Sequence, residues 1–252
     1  MLIDMTVPIY VINMKCCEDR WLETQNKLNT LNINAQRFDA TIGRELSEQE
    51  IKMWYCPKKN NKQYHRDLTL GEIGCYMSHM RVWQKIVDEA LPMCVILEDD
   101  LSIQSSFSRI IEAAEKLQNW DFIKLSDSRN LAFVDTQSLE SKFVLGNYLK
   151  APSGAQGYML SLEGAKKLLR RKPFFRPVDV DMQFHSEIGL NMIGIKPYPV
   201  ATSGQFESEI ARANSGRHSN KSTFIRNLKH RLNLYMQRKK ISADLSVITK
   251  KL

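Results

Sequence analysis

Short apolar runs of strand length alternate with longer amphipathic segments along most of the chain. Residues 7–12 and 93–97 are continuous apolar runs, as in strands that are buried on both faces of a parallel sheet. Between them, residues 70–90 place Ile73, Met77, Met80, Trp83 and Val87 on one helical face. Strands that alternate with helices predict an α/β fold whose mostly parallel sheet is flanked by helices.

The same patterns predict the remaining elements. Asp19 can cap a helix, and residues 58–62, which are polar and basic, predict an exposed loop. The last strand, at residues 193–200, is expected to close the sheet. The other expected elements are strands at 36–40, 121–125, 143–149 and 156–161 and helices at 107–117, 163–170 and from about 179 onward.

The cysteine spacing and the N-terminal residues predict where the protein is located. Five cysteines, with no CxxC spacing, predict neither a zinc site nor a disulfide framework. Residues 1–6 lack the basic and apolar parts of a secretory signal, and no apolar run approaches the ~20 residues of a membrane span. We therefore expect a cytosolic protein.

The basic charge is concentrated at the C-terminal end. The chain has a net charge of +8, whereas residues 212–252 carry eleven Lys or Arg and one acid, +10, which leaves −2 for residues 1–211. This predicts a catalytic domain at 1–211 and a basic tail at 212–252, with a linker at 214–216. Because the body is nearly neutral and has no recognisable nucleic-acid motif, we expect no nucleic-acid partner, although the pI of about 9.2 keeps a nucleic-acid-binding protein as an alternative.

The tail predicts a basic amphipathic helix. Ile225, Leu228, Leu232 and Tyr235 recur at helical spacing. The charges around this stripe are Arg226, Lys229, Arg231, Arg238, Lys239 and Lys240. Such a helix can lie on an anionic membrane surface. The alternative is that the stripe packs on the protein's own body or on a second copy, as in a homodimer.

Three consecutive acids follow the apolar run at 93–97. Glu98, Asp99 and Asp100 would lie at the carboxyl end of a strand, where open α/β sheets bind ligands. Mutual repulsion disfavours three ionised carboxylates, and a divalent cation such as Mn²⁺ or Mg²⁺ would relieve it. We predict Glu98 and Asp100 as metal ligands; the alternative is a solvated turn.

In the order and spacing of several motifs, the chain resembles glycosyltransferase family 25 of lipopolysaccharide and lipooligosaccharide biosynthesis. This family contains β-galactosyltransferases. The resemblance covers about residues 7–211. Its pieces are residues 10–13 with 19–20, 38–40 with Gly43, 70–79, 96–100, 157–161 with 164–165, 177–181, and Gln205 with 208–210. The chain departs from it at Lys15-Cys16-Cys17, where a more basic stretch is expected. The resemblance implies a GT-A fold that is Rossmann-like, a UDP-sugar donor, an acidic metal motif and inversion at the anomeric carbon.

An inverting transfer needs a carboxylate that takes the proton from the acceptor hydroxyl. On the resemblance, Asp181 at the start of a helix is the expected base and Asp179 the second candidate; the alternative is a helix N-cap. Other residues are expected to contact the donor, with surface, turn or core roles as alternatives. They are Asn13, Arg20, Asp39, Ser78, His79 and Asp99.

These features predict a metal-dependent inverting glycosyltransferase that moves galactose from UDP-galactose to a lipooligosaccharide or related glycan. A glycolipid acceptor would place the enzyme, as a peripheral protein, at the inner face of the cell membrane. A UDP-glucose donor and a metal-dependent phosphohydrolase remain alternatives. No Walker or GxGxxG pattern supports an ATPase or a dehydrogenase.

Overall fold

The computed structural model describes residues 7–140, 142–202, 224–237 and 243–248. Its strands are β1 (Ile9–Asn13), β2 (Gln36–Asp39), β3 (Met93–Glu98), β4 (Leu101–Ile103), β5 (Phe122–Lys124), β6 (Phe133–Glu140), β7 (Phe143–Tyr148), β8 (Gly157–Ser161), β9 (Met192–Lys196) and β10 (Val200–Thr202). Its helices are α1 (Glu18–Thr30), α2 (Glu48–Trp54), α3 (Pro57–Gln63), α4 (Leu70–Asp88), α5 (Phe107–Glu115), α6 (Leu162–Leu169), α7 (Val178–Met182), α8 (Phe224–Gln237) and α9 (Leu245–Ile248). The α/β class predicted from the alternating pattern is confirmed.

Eight strands form the central sheet, in the order β2-β1-β3-β8-β5-β9-β7-β6. Six run in one direction, and β8 and β7 run against them. The carboxyl ends of β1, β2, β3 and β5 therefore meet at one edge of the sheet. The strand expected to close the sheet does not do so: β9 lies inside it, and Val200 begins β10, which pairs with β4 in a separate two-stranded sheet.

Both faces of the sheet are covered, which explains the continuous apolar runs. In β3, Val95 and Leu97 belong to one apolar cluster, whereas Cys94 and Ile96 belong to the cluster on the other face. All four side chains are fully buried. Alternate residues of a strand point to opposite faces, so a strand between two helical layers must be apolar at every position.

The longest helix, α4, covers the face that carries the site. Its start is fixed by a capping box in which Thr69 and Glu72 bond each other's backbone N–H. Trp83, Met80 and Ile86 are fully buried against the sheet. The turn after β2 approaches this helix so closely that Gly43 and Gly74 are in contact.

Gly43→Ala should destabilise the fold. A Cβ at Gly43 would lie 1.8 Å from the carbonyl oxygen of Leu70, so the turn or the first residues of α4 must shift. We expect a loss of about 1–3 kcal/mol in the free energy of unfolding, measured by denaturant titration. Gly189→Asn is the control, since its φ of +62° suits asparagine and a Cβ there would meet no atom within 4 Å. Equal stability of the two variants would contradict the close approach.

The prediction of an exposed loop at residues 58–62 is wrong. These residues belong to α3, which begins with Pro57 at its first position. Asn60 is fully buried, and its side chain donates to the carbonyl oxygens of Arg66 and Phe175 at 3.0 and 2.9 Å. The segment is polar because its other residues are exposed and Asn60 bonds two backbone carbonyls in the interior.

The predicted tail helix is confirmed as α8, and its apolar stripe faces outward. Ile225 is 79% exposed, and Leu228, Leu232 and Tyr235 are 52–59% exposed. The opposite face docks on the body, where Arg226 Nε donates to the carbonyl oxygen of Tyr64 at 3.0 Å and His230 is buried. The alternative in which the stripe packs on the protein's own body is therefore wrong for these four residues.

The last described segment belongs to the core. Ala243, Leu245 and Ile248 are buried in the cluster on one face of the sheet, and Asn147 exchanges two hydrogen bonds with the backbone of Ala243. The linker expected at 214–216 and Arg238, Lys239 and Lys240 lie outside the described residues. Among the helices that the structure describes, none has the length and apolar character needed to cross a bilayer.

Candidate active site

A cavity of about 270 Å³ opens where the parallel strands end. Glu98 reaches it from the end of β3, and Asp179 from α7. The loop before β8 forms another wall, with Gly154 at a φ of +97°, which suits glycine. The remaining lining residues are Tyr64, Arg66, Glu72, Cys75, Ala155, Gln156, Pro177, Val178 and Val180.

The central acid of the triplet is committed to the fold. Asp99 accepts a hydrogen bond from Asn13 Nδ2 at 2.6 Å and forms a close ion pair with Arg20. Its backbone oxygen accepts from Thr24. Asn13, Arg20 and Asp99 were expected to contact the donor. The structure brings them together, but their side chains bond one another. Asn13 is 1% exposed, so this cluster braces the ends of β1 and β3 beneath the cleft.

The two outer acids fit a divalent cation. Glu98 lines the cavity, and Asp100 Oδ1 is buried with no hydrogen-bond partner among the described residues. Burial, and next the charge of Glu98, raise the pKa of Asp100 to about 6. A cation bound by both carboxylates would offset each of these costs. The donor set is hard oxygen, as Mn²⁺ and Mg²⁺ prefer.

The two aspartates of α7 differ in what surrounds them. Asp181 is buried, with Arg176 Nε at 2.8 Å, Arg171 Nε at 3.6 Å and the Tyr76 hydroxyl donating at 2.5 Å. Its charge is therefore balanced inside the protein. Asp179 lines the cavity, and its pKa is raised, chiefly by burial. Asp179 therefore faces the cavity, whereas Asp181 is engaged with two arginines and a tyrosine, and the choice of base between them stays a prediction.

Ser78 and His79 are both buried in α4. Ser78 Oγ accepts from the backbone N–H of Thr41 and donates to the oxygen of Gly74, each at 2.8 Å, which ties the turn after β2 to the helix. His79 Nε2 lies 3.4 Å from Glu98 Oε1. His79 thus reaches the cleft through Glu98, whereas Ser78 contacts only the backbone of neighbouring elements in the described structure.

Asp39 ends β2 at the same edge of the sheet. It is exposed and pairs with Lys15 at 3.2 Å. Among the described residues, its carboxylate forms surface ion pairs with Lys15 and Arg37. The contact to a nucleotide stays a prediction.

The sequence analysis missed Lys124, which ends β5. It is fully buried, and its Nζ donates to the carbonyl oxygen of Gly154 at 2.5 Å. Burial lowers its pKa from the ordinary 10.5 to about 8, against the opposing influence of Asp127, Glu98 and Asp179. The signal was present: a lysine closing a strand that is otherwise apolar.

The free energy of unfolding should rise with pH because of Lys124. Its folded pKa of about 8 lies below the ordinary 10.5, so the unfolded chain binds more protons between these values and stability increases across that window. The cost of burying the charged amine is full below pH 8 and is lost as the pH rises toward 10.5, a change on the order of 3 kcal/mol. Denaturant titrations at pH values from about 8 to 10.5 should show this rise in the wild type and not in Lys124→Met. Equal pH slopes in the two proteins would contradict it.

A mixed α/β sheet with an acidic cleft at the carboxyl ends of its parallel strands is consistent with a Rossmann-like glycosyltransferase fold. A family model described as "Glycosyltransferase family 25 (LPS biosynthesis protein)" matches residues 6–183. The chain belongs to glycosyltransferase family 25.

Similar proteins come from animals. A glycosyltransferase 25 family member of Aedes aegypti is 31% identical over 184 residues. Procollagen galactosyltransferase 2 is 30% identical over 183 residues in Mus musculus and 27% identical over 183 residues in Homo sapiens. Each match covers 69% of this chain but only 29% of the relative.

Proposed function

We propose that this protein transfers galactose from UDP-galactose to a hydroxyl group of a glycan acceptor, with inversion at the anomeric carbon. The observation that carries the proposal is the cavity lined by Glu98 and Asp179, carboxylates from two different elements, in a member of glycosyltransferase family 25. Galactosyl transfer is the activity that the relatives' names state.

Glu98 and Asp100 are the residues that would hold Mn²⁺ or Mg²⁺. Such a cation would neutralise the diphosphate leaving group as a Lewis acid. Because Asp99 is paired with Arg20 and Asn13, it fixes the backbone between the two outer acids and is not free to serve as a ligand itself.

Asp179 is proposed as the general base. It lines the cavity, and its raised pKa makes it a stronger base than an ordinary aspartate. It would take the proton of the acceptor hydroxyl as that oxygen attacks the anomeric carbon. Lys124 would hold the Gly154 wall of the cavity through its hydrogen bond.

The acceptor is proposed to be a glycan on a lipid, brought to the enzyme at the inner membrane surface by α8. Supporting this, the helix turns an apolar stripe outward and carries exposed Lys229 and Arg231 beside it. A soluble acceptor of the kind named by the relatives, procollagen, is the competing substrate.

The test is a transfer assay with UDP-galactose and UDP-glucose. Acceptors are lactose- or GlcNAc-ended oligosaccharides, a lipooligosaccharide and a procollagen peptide, each with Mn²⁺ or with excess chelator. Metal-stimulated galactose transfer to a glycan is the expected result. Release of phosphate without acceptor would identify a phosphohydrolase, transfer of glucose would change the donor, and full activity in chelator would remove the cation from the proposal.

A further inference from the structure

One cluster at the cavity wall has softer ligands than the acidic triplet. Cys75, His79 and Glu98 each offer one ligand atom, and these three atoms lie within 4.8 Å of one another. Cys75 and His79 are four residues apart on α4, so they share one face of the helix. Glu98 comes from the end of β3. The sequence spacing pairs Cys75 with His79, but it could not show that Glu98, from another element, lies beside them.

The three ligand types and their distances suit tetrahedral zinc. Zinc binds thiolate, imidazole and carboxylate with ligand atoms roughly 3.3–3.8 Å apart. His79 Nε2 and Glu98 Oε1 are 3.4 Å apart, and the Cys75 sulfur lies within 4.8 Å of the other two ligand atoms. Thiolate and imidazole select zinc over Mg²⁺ and Mn²⁺, which prefer oxygen.

The imidazole is already held in a metal-binding orientation. Its Nδ1 lies 2.8 Å from the Tyr158 hydroxyl, which also accepts a hydrogen bond from Trp83 Nε1 at 2.9 Å. Trp83 and Tyr158 are fully buried. Histidines that bind metals are commonly oriented in this way by a second partner on the other ring nitrogen.

We propose that Cys75, His79 and Glu98 form a zinc-binding site on the wall of the cavity. The Cys75 thiol releases its proton to solvent as the sulfur binds the metal, and the fourth position faces the cavity. Zinc at this site takes Glu98 away from the carboxylate pair Glu98 and Asp100, so it inhibits transfer. The inhibition rests on the proposed function, whereas the binding does not.

Cobalt is the probe for binding, because Co²⁺ bound by a thiolate has a charge-transfer absorption that zinc lacks. The full-length protein is used reduced and metal-free, with Cys16 and Cys17 replaced by serine. Cys16 is exposed, Cys17 is partly exposed, and their sulfurs are 3.9 Å apart, so they could bind metal themselves. We expect the absorption to saturate at one equivalent of Co²⁺ and to disappear when zinc is added.

The matched variants are Cys75→Ser and Cys56→Ser. Both cysteines are partly exposed, but Cys56 lies outside the cluster. The absorption should persist in Cys56→Ser and vanish in Cys75→Ser. Glu98→Gln keeps the thiolate, so it should retain the absorption and weaken Co²⁺ binding at least tenfold. Circular dichroism shows whether each variant is folded.

The parent protein is the one in which only Cys16 and Cys17 are replaced. The proposed site is overturned if the parent shows no absorption, or if the absorption persists in folded Cys75→Ser. In the transfer assay with Mn²⁺, zinc should inhibit the parent at concentrations at least tenfold lower than those needed for Cys75→Ser. Equal inhibition of both proteins overturns the competition for Glu98. If no sugar is transferred at all, the proposed function fails, while the cobalt absorption still decides whether the site exists.

Discussion

Asp179→Asn should bind the sugar nucleotide about as tightly as the wild type and turn it over 10²–10⁴-fold more slowly. Asparagine keeps the shape of the side chain but cannot accept the acceptor's proton. Asp179 lines the cavity, and burial together with the charges of Glu98 and Glu72 raises its pKa. The measurement is kcat at saturating donor and acceptor, with donor affinity determined separately by calorimetry.

Asp181→Asn, two residues away, is the control for that result. Its loss of charge leaves Arg176, which is 1% exposed and 2.8 Å away, without its partner on Asp181. The cost of an unpaired buried charge is about 3–5 kcal/mol, although Glu187 also pairs with Arg176 and would reduce it. We therefore expect a less stable enzyme whose folded molecules still turn over. A folded but inactive Asp181→Asn beside an active Asp179→Asn would return the role of base to Asp181, and two active variants would place the base elsewhere.

The parts of the fold that were predictable from sequence are those in which burial decides the pattern. The strands β1 and β3 are apolar up to their last residues, Asn13 and Glu98, because helices cover both faces, and α4 has a regular apolar stripe. These features are local, so a single sequence displays them. The short helices α2 and α3 were missed because their residues are mostly polar, although Ser47 with Glu50 forms a capping box that a closer look at residues 47–50 would have found.

Long-range pairing explains the remaining errors in the fold. β6 has mostly exposed or half-buried residues and is a strand because it pairs with β7. The segment at 243–248 was assigned to a separate tail, yet its apolar residues complete the core beside β6 and Asn147. A single sequence does not show which distant segment will supply a missing partner.

The site was predictable in outline but not in its roles. The chain order placed Glu98, Asp99 and Asp100 at the end of β3, where the structure has them. It could not show that Asp99 would be used by Asn13 and Arg20, because that depends on how β1 and α1 pack against β3. For the same reason it could not separate Asp179 from Asp181, which lie in one turn of helix but face different partners.

Replacing the outward stripe of α8 should abolish binding to anionic membranes. The variant is Ile225→Gln with Leu228→Gln and Leu232→Gln, which keeps the charge and a good helix-forming residue at each position. Burying an apolar side chain contributes about 1.5–3 kcal/mol, so three partly inserted residues account for at least a hundredfold in affinity. The measurement is co-sedimentation with vesicles that contain anionic lipid, at low salt.

The control variant changes three exposed apolar residues elsewhere. Leu22→Gln with Met53→Gln and Val134→Gln removes side chains that are 47–58% exposed and should bind vesicles as the wild type does. Truncation before α8 is a poorer test, because it also removes Leu245 and Ile248 from the core. Exposed Lys229 and Arg231 each contribute about 1 kcal/mol near an anionic surface, so binding should weaken as salt is added.

The helix α8 docks beside a residue that lines the cavity. Arg226 bonds the backbone of Tyr64, and the side chain of Tyr64 lines the cavity. A membrane beneath the stripe would therefore present a lipid-linked glycan close to Glu98 and Asp179, and vesicles carrying such an acceptor should raise the transfer rate of the wild type but not of the stripe variant. Failure of the wild type to bind anionic vesicles would contradict the membrane proposal. Concentration-dependent dimerisation that the stripe variant abolishes would show instead that a second copy of the chain covers the stripe.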